Sequence, residues 1–259
     1  MVQYLDCQFI ANITNGVTRG RIRKKTNLGF ADPTLMLLNG SNAEDDQIFG
    51  RMLKKTAKDV GINVFDADTQ SDIDSVVKGE RIIDGYVSIS GAGLNLSYDR
   101  DRSLAVDGGF GTPYEKAVVE ATMAIFDRLI VSSDGDVVLV IGRSDSIGKV
   151  IARRLLSIDK TVIVAHSKTR NRGMKSLIDA TDVVVSTAPY GTKFPGNLLR
   201  RDQILVDIGN NFDLSCWEDN PTGSITTTPK VGGIGVITRA IIMERVVTNY
   251  EERILKELN

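Results

Sequence analysis

Apolar residues in this 259-residue chain alternate between compact runs and stretches spaced at helical period. Leu5, Phe9, Ile10, Ile13 and Val17 stand at roughly helical spacing with Arg and Lys further on, which predicts an amphipathic helix opening the chain within residues 1–28. PTLMLLNG (33–40) is an apolar run closed by Asn-Gly, the mark of a buried strand and a turn. Residues 44–60 predict a helix, with acids in the first turn and Gly61 just past the end. INVFDA (62–67) predicts a strand, IDSVVKGE (73–80) a short helix, and DGYVSIS (84–90) a third strand running into the Gly91-Ala92-Gly93 loop. This β-α-β-α-β order calls for a parallel sheet with helices packed against it. The polar, glycine-rich stretch 95–112 reads as a long loop, a kind of segment that often carries function. Thr112-Pro113 then opens a helix over 113–129, with Pro at its first position.

A second series follows. DVVLVIG (136–142), TVIVAH (161–166), DVVVSTA (182–188) and QILVDIG (203–209) predict four buried strands, with helices at 146–157 and 174–180 between them. Four apolar strands at this spacing fit an open, mostly parallel sheet. A helix over 236–258 ends the series, and no internal repeat or low-complexity segment interrupts it. The fold class is therefore α/β, with two domains expected from the length.

Composition removes several classes of function. A net charge of -1 gives no general attraction to nucleic acid or anionic membrane. No apolar run reaches the ~20 residues that span a bilayer, and residues 1–16 lack a basic segment followed by an apolar one, so a cytoplasmic protein is expected. Cys7 and Cys216 lie far apart and outside any metal-ligand spacing, and read as thiols of a reducing compartment. The single histidine, His166, rules out a multi-histidine metal site; no metal is expected.

The chemistry concentrates after the strand ending at Ile141. Gly142-Arg143-Ser144-Asp145-Ser146-Ile147-Gly148 leads directly into a helix, a degenerate form of the G-x-G-x-x-G turn with Ser144 in place of one glycine. Strand, tight turn, helix N-terminus and second parallel strand together place a diphosphate on free backbone amides; a plain strand–helix turn built on glycine is the other reading of the same residues. At the tip of the next strand, Ala165-His166-Ser167-Lys168-Thr169-Arg170 contains no acid to bond a ribose diol, and Arg143 adds a cation near the phosphate loop. A 2′-phosphate needs positive charge and donors, which favours NADP over NAD. Lys168 and Arg170 taken singly fit a solvated basic loop equally well.

These residues resemble the methylenetetrahydrofolate dehydrogenase/cyclohydrolase family. GRSDSIGK (142–149) with TVIVAHSKTR (161–170) is similar to that family's cofactor loop and adjacent strand end. ATDVVVSTAPYG (180–191), ILVDIGNN (204–211) and TPKVGGIGVITRAIIMERVV (228–247) resemble its next strands, glycine-rich loop and closing helix. The resemblance implies a catalytic α/β domain over 1–120, completed by helix 239–259, and a Rossmann-type NADP domain over 121–238. It further implies folate in the interdomain cleft and a homodimer. Gly142, Arg143, Ser144, Ile147, Gly148, His166, Ser167, Thr187, Ala188, Gly209 and Thr238 would bind the cofactor, with Arg143 and Ser167 on the 2′-phosphate. Gly232 and Gly233 would approach cofactor and substrate by their backbone.

The N-terminal half departs from the family pattern. The helix 47–62 aligns to the family helix that carries a tyrosine and, one turn later, the catalytic lysine; here these positions hold Phe49 and Leu53. Lys54 and Lys55 follow, but one step along a helix turns a side chain by ~100°. Where the family has a glutamine and prolines, this chain has ISGAG (89–93). The aspartate that holds the pterin ring corresponds to Asp101 or Asp107, with Asp101 preferred. Hydride transfer needs alignment of two rings and no side-chain acid or base, whereas hydrolysis of the methenyl carbon needs a tuned group such as lysine. The expectation is an NADP-dependent methylenetetrahydrofolate dehydrogenase without cyclohydrolase activity. Two alternatives stay open: a paralogue acting on another small imine or amine, and a non-catalytic NADP-binding protein.

Overall fold

The computed structural model describes residues 1–39, 44–89, 104–108, 112–130, 136–218 and 223–259. They gather into two compact units, Met1–Ile10 with Val118–Ile237 and Ala11–Ala117 with Thr238–Asn259. Helix α1 (Cys7–Thr26) lies within the expected 1–28, and a short strand not anticipated, β1 (Val2–Tyr4), precedes it. The helix buries Cys7, Ile10, Ala11, Thr18 and Ile22, while Phe9, Ile13 and Val17 stay 50%, 41% and 54% exposed. Helical spacing was therefore present, but of the expected residues that lie in the helix only Ile10 faces the core. Thr18 can be buried because its hydroxyl donates to the Thr14 carbonyl at 2.9 Å. Both cysteines are free thiols; burial and the neighbouring Asp6 carboxylate push Cys7 up to about 11.

Next come β2 (Thr34–Asn39), α2 (Glu44–Val60), β3 (Asn63–Ala67), α3 (Gln70–Val77) and β4 (Gly85–Ile89). The three strands form a parallel sheet in the order β3-β2-β4. Met36, Leu38, Ala67, Ile73, Val76 and Ile83 pack as one core cluster. Helix α3 begins three residues earlier than residue 73, because Thr69 caps it: the Asp72 amide donates to the Thr69 hydroxyl while the Thr69 amide donates back to the Asp72 carboxylate.

Helix α4 (Ala117–Arg128) starts later than the expected Pro113. Residues ahead of it are held by tertiary bonds instead: the Tyr114 hydroxyl reaches Asn249 at 3.0 Å and the Lys116 ammonium reaches Asp107 at 2.7 Å. Pro113 thus sits in a bend, outside the helix.

The remaining elements are β5 (Val137–Ile141), α5 (Gly148–Leu156), β6 (Thr161–Ala165), α6 (Asn171–Asp179), β7 (Val183–Ser186), β8 (Phe194–Pro195), β9 (Ile204–Asp207), β10 (Phe212–Asp213), α7 (Ser215–Glu218), β11 (Ile225–Thr227) and α8 (Ile234–Leu258). The expected sheet of four strands has six, all parallel, in the order β1-β11-β9-β7-β5-β6. β1 and β11 are three residues each, too short for a period to register. β8 and β10 form a separate parallel pair whose Phe194 and Phe212 rings lie 5.1 Å apart. This is a Rossmann-like parallel-sheet unit accompanied by a second α/β unit.

Most of α8 belongs to the smaller sheet's unit and is fastened there by polar bonds. Asp84, 2% exposed, accepts the Thr34 amide at 2.9 Å and the Arg253 guanidinium at 2.8 Å. Asn249 donates to the Asp84 carbonyl, and Arg245 donates to the Val106 carbonyl while its guanidinium lies 4.6 Å from the Tyr114 ring centre. Removing a buried carboxylate leaves a half-buried arginine and a half-buried amide without their acceptor. Asp84→Ala should therefore lower unfolding stability in urea by about 2–3 kcal/mol, against about 0–1 kcal/mol for Lys54→Ala, which breaks a surface pair. Equal shifts in the two variants would contradict this account of how α8 is held.

Candidate functional site

The chain passes from β5 to β6 on one side and returns to β7 on the other, so the strand order reverses at the C-terminal end of β5. Ligands of open parallel sheets bind at such a crevice. The turn that leaves β5 there is very close. Gly142 adopts a φ of 134°, and a Cβ on it would overlap the Thr187 hydroxyl; a Cβ on Gly148 would lie 2.5 Å from the Gly142 carbonyl oxygen. Only glycines permit this approach, and it lays the start of α5 against the end of β5. Helix α5 has no side-chain cap at Ile147. Its first amide donates to the Ser144 hydroxyl at 3.2 Å, and the Lys149 amide to the Ser144 carbonyl at 3.0 Å. Ser144, standing where the ideal fingerprint has glycine, thereby closes the turn itself. The hydrogen bond and charge of Lys149 draw the Asp145 carboxyl below its usual range.

Thr187 is bonded to the Ile141 carbonyl through both its amide (2.9 Å) and its hydroxyl (3.1 Å), which keeps the ends of β5 and β7 together. Gly209 lies beside Ala188: a Cβ there would come within 2.6 Å of the Ala188 carbonyl oxygen. The structure thus brings Gly142, Gly148 and Thr187 into one cluster and Ala188 and Gly209 into another at the same sheet edge. Arg143, Ser144 and Ser167 are exposed, and Ile147 and His166 are half-buried. Gly232 and Gly233 lie between β11 and α8, where Gly233 passes close to the Pro229 carbonyl, and Thr238 in the first turns of α8 is buried.

Several residues of this edge were not anticipated. Asn211 is fully buried and works as a hub, accepting the Ser186 hydroxyl at 2.7 Å and donating to the Pro189 and Thr192 carbonyls. Asp207 accepts the Asn211 and Phe212 amides at 2.9 Å each; burial nonetheless raises its carboxyl above the ordinary range, with those amides opposing. Its own amide donates to the Thr228 hydroxyl, joining the β9 and β11 ends. A cavity of about 510 Å³ opens beside Asp207, lined also by Lys193, Phe212, Thr228 and Lys230. The sequence signal for these was a cluster of Asp and Asn straight after an apolar strand, which marks a turn without saying which side chains turn inward.

In the other unit, Leu53 is fully buried on α2 and Phe49 half-buried. Lys54 is turned to Asp66 at 2.8 Å, which confirms that it does not occupy the Leu53 direction. Asp107 is paired with Lys116, and Asp101 lies outside the described residues.

Residues 116–254 match the family model described as "Tetrahydrofolate dehydrogenase/cyclohydrolase, NAD(P)-binding domain". The chain belongs to this family. The "bifunctional protein FolD" of Thermosipho melanesiensis is 31% identical over 149 residues, covering 54% of this chain and 52% of that protein. The chain thus matches about half the length of that curated relative. Among solved structures, a 5,10-methylenetetrahydrofolate dehydrogenase of the silkworm Bombyx mori has a TM-score of 0.76 at 20% identity, covering 98% of this chain and 99% of that one. A methylenetetrahydrofolate dehydrogenase-cyclohydrolase (FolD) of Trypanosoma brucei, complexed with NADP and an inhibitor, has a TM-score of 0.75 at 20% identity and covers 98% of both chains. At these identities the two structures establish the shared two-domain fold. The family model makes the Rossmann-like unit an NAD(P)-binding domain, and the coenzyme expectation read from the sequence, NADP, is one of its two forms.

The glycine contacts supply a direct test. Gly148→Ala drives a methyl group against the Gly142 carbonyl and should weaken NADP binding by about tenfold or more. Gly173→Ala, where a Cβ meets nothing within 4 Å, should leave it unchanged. Calorimetric titration of both variants checks this, and equal affinities would remove the turn from the binding site.

Proposed function

We propose that this chain oxidises 5,10-methylenetetrahydrofolate to the 5,10-methenyl compound with NADP as acceptor, and that it lacks cyclohydrolase activity. The observation that carries the second half is Leu53: a fully buried, apolar side chain stands where the resemblance calls for the lysine of the hydrolytic step. The first half is supported by the family's NAD(P)-binding domain and by the glycine cradle at the β5–α5 turn.

The residues at the sheet edge fit a nicotinamide dinucleotide. Backbone amides of the turn between Gly142 and Gly148 would hold the diphosphate ahead of α5, where the helix dipole favours negative charge. Arg143 and Ser167, both exposed, would receive a 2′-phosphate, while Thr187, Ala188 and Gly209 would line the path of the dinucleotide. The coenzyme, when bound, supplies the hydride acceptor. The protein's own residues orient the reactants and keep water away from them.

On the substrate side, Asp101 or Asp107 would hold the N–H donors of a pterin through its carboxylate. Phe49 offers a ring face without the hydroxyl of the family's tyrosine. A cytoplasmic homodimer is the form in which we read it. No helix among the described residues is long and apolar enough to cross a membrane.

A second reading is favoured by the same substitutions. Leu53, Phe49 and the ISGAG segment also fit a paralogue whose pocket takes another small imine or amine. The assay that decides is substrate-dependent NADPH formation. Purified protein with methylenetetrahydrofolate should reduce NADP in preference to NAD, and methenyltetrahydrofolate should be hydrolysed no faster than in buffer. Reduction only with other imines would support the paralogue. Rapid hydrolysis would overturn the split between the two activities.

A further inference from the structure

The tip of β6 carries a turn whose hydrogen bonding is completed by two side chains, those of His166 and Thr169. The Thr169 amide donates to the His166 carbonyl at 2.7 Å, closing a turn over 166–169. The His166 amide donates to the Thr169 hydroxyl at 2.9 Å, and the Lys168 amide donates to His166 Nδ1 at 3.1 Å. Three bonds therefore wrap four residues. The third requires a lone pair on Nδ1, which places the imidazole proton on Nε2. Ser167 and Lys168, between the two anchor residues, present exposed side chains at the strand end where a dinucleotide places its adenosine ribose.

We propose that His166 is a positioning residue for coenzyme choice. It acts through Ser167 and Lys168, fixing the backbone that aims their hydroxyl and ammonium groups at a 2′-phosphate, while its own Nδ1 is taken up by the Lys168 amide. The inference rests on the NADP reading above and adds to it which side chain sets the geometry of the phosphate donors. Charge alone does not: Lys168 sits on a long, rotatable stem, so a loosened turn leaves its charge nearby and removes its aim. An unphosphorylated ribose makes no use of either group, and the loss should fall on NADP.

Substitution distinguishes a missing acceptor from a missing shape. His166→Leu removes the acceptor, and His166→Asn returns an oxygen able to receive the Lys168 amide. The expected result is a five- to tenfold weaker NADP affinity in His166→Leu, with NAD affinity within about twofold of wild type and most of the loss recovered in His166→Asn. A spectroscopic readout is independent of binding. His166 is the one histidine of the chain, so the ¹⁵N spectrum of its imidazole should show a single ring with the proton on Nε2. An Nδ1-protonated ring in the free protein, or a His166→Asn variant no better than His166→Leu, would overturn the inference. Wild type preferring NADP while His166→Leu keeps the same preference sinks the positioning role alone. Wild type binding both coenzymes equally sinks the coenzyme reading and the inference with it.

Discussion

The contact between Gly142, Gly148 and Thr187 is the constraint on which the larger unit is arranged. A parallel strand can hand its chain to a helix so abruptly only where two backbones meet without side chains between them. Gly142 supplies the required φ, Gly148 the clearance, and Thr187 ties the neighbouring strand to the carbonyl just before the turn. Once this corner is closed, α5 must begin at the sheet edge, with its N-terminal dipole directed at the place where β5 and β7 part. The family's NAD(P)-binding assignment follows the same stretch of chain.

Around that corner the strand ends are bound by side chains to one another. Asn211 joins β7 to the loops before β8, and Asp207 folds its own loop back on itself and reaches β11 through Thr228. Buried polar groups of this kind specify one arrangement, because any other leaves a donor or acceptor unpaired away from water. The raised carboxyl of Asp207 is the electrostatic cost of that arrangement, since burial disfavours its charge more than two amides restore it.

The smaller unit is held by a different device. Its three parallel strands bury an apolar cluster, and α8, which itself buries Ile242, Val246, Val247 and Ile254, is further tied to the unit by Asp84, Arg245, Asn249 and Arg253. Charged side chains with full sets of partners fix the rotation of a helix more sharply than interchangeable aliphatic contacts do. It is in this unit that the chain departs from its family's pattern. The buried Leu53 and the Lys54–Asp66 pair show that the local helix is packed at the positions where it departs.

The amino-acid order alone determined the α/β class, the long strands, the glycine turn after Ile141 and the family, because each rests on a local period or a contiguous motif. Helical spacing found α2, α5 and α8, and the acid-free strand tip after Ala165 was visible as composition. The boundaries at β1, α3 and α4, and the face that α1 buries, were decided by tertiary structure. Val2–Tyr4 is a strand because Ile225–Thr227 lies beside it, and Pro113 stays outside α4 because Tyr114 and Lys116 have partners far along the chain or across a loop. The pairing of Lys168 with His166 Nδ1, the Asn211 hub and the enclosure of Asp207 were equally beyond reach of the sequence. A residue letter states what a side chain can donate or accept; which partner arrives is set by the path of the backbone in three dimensions.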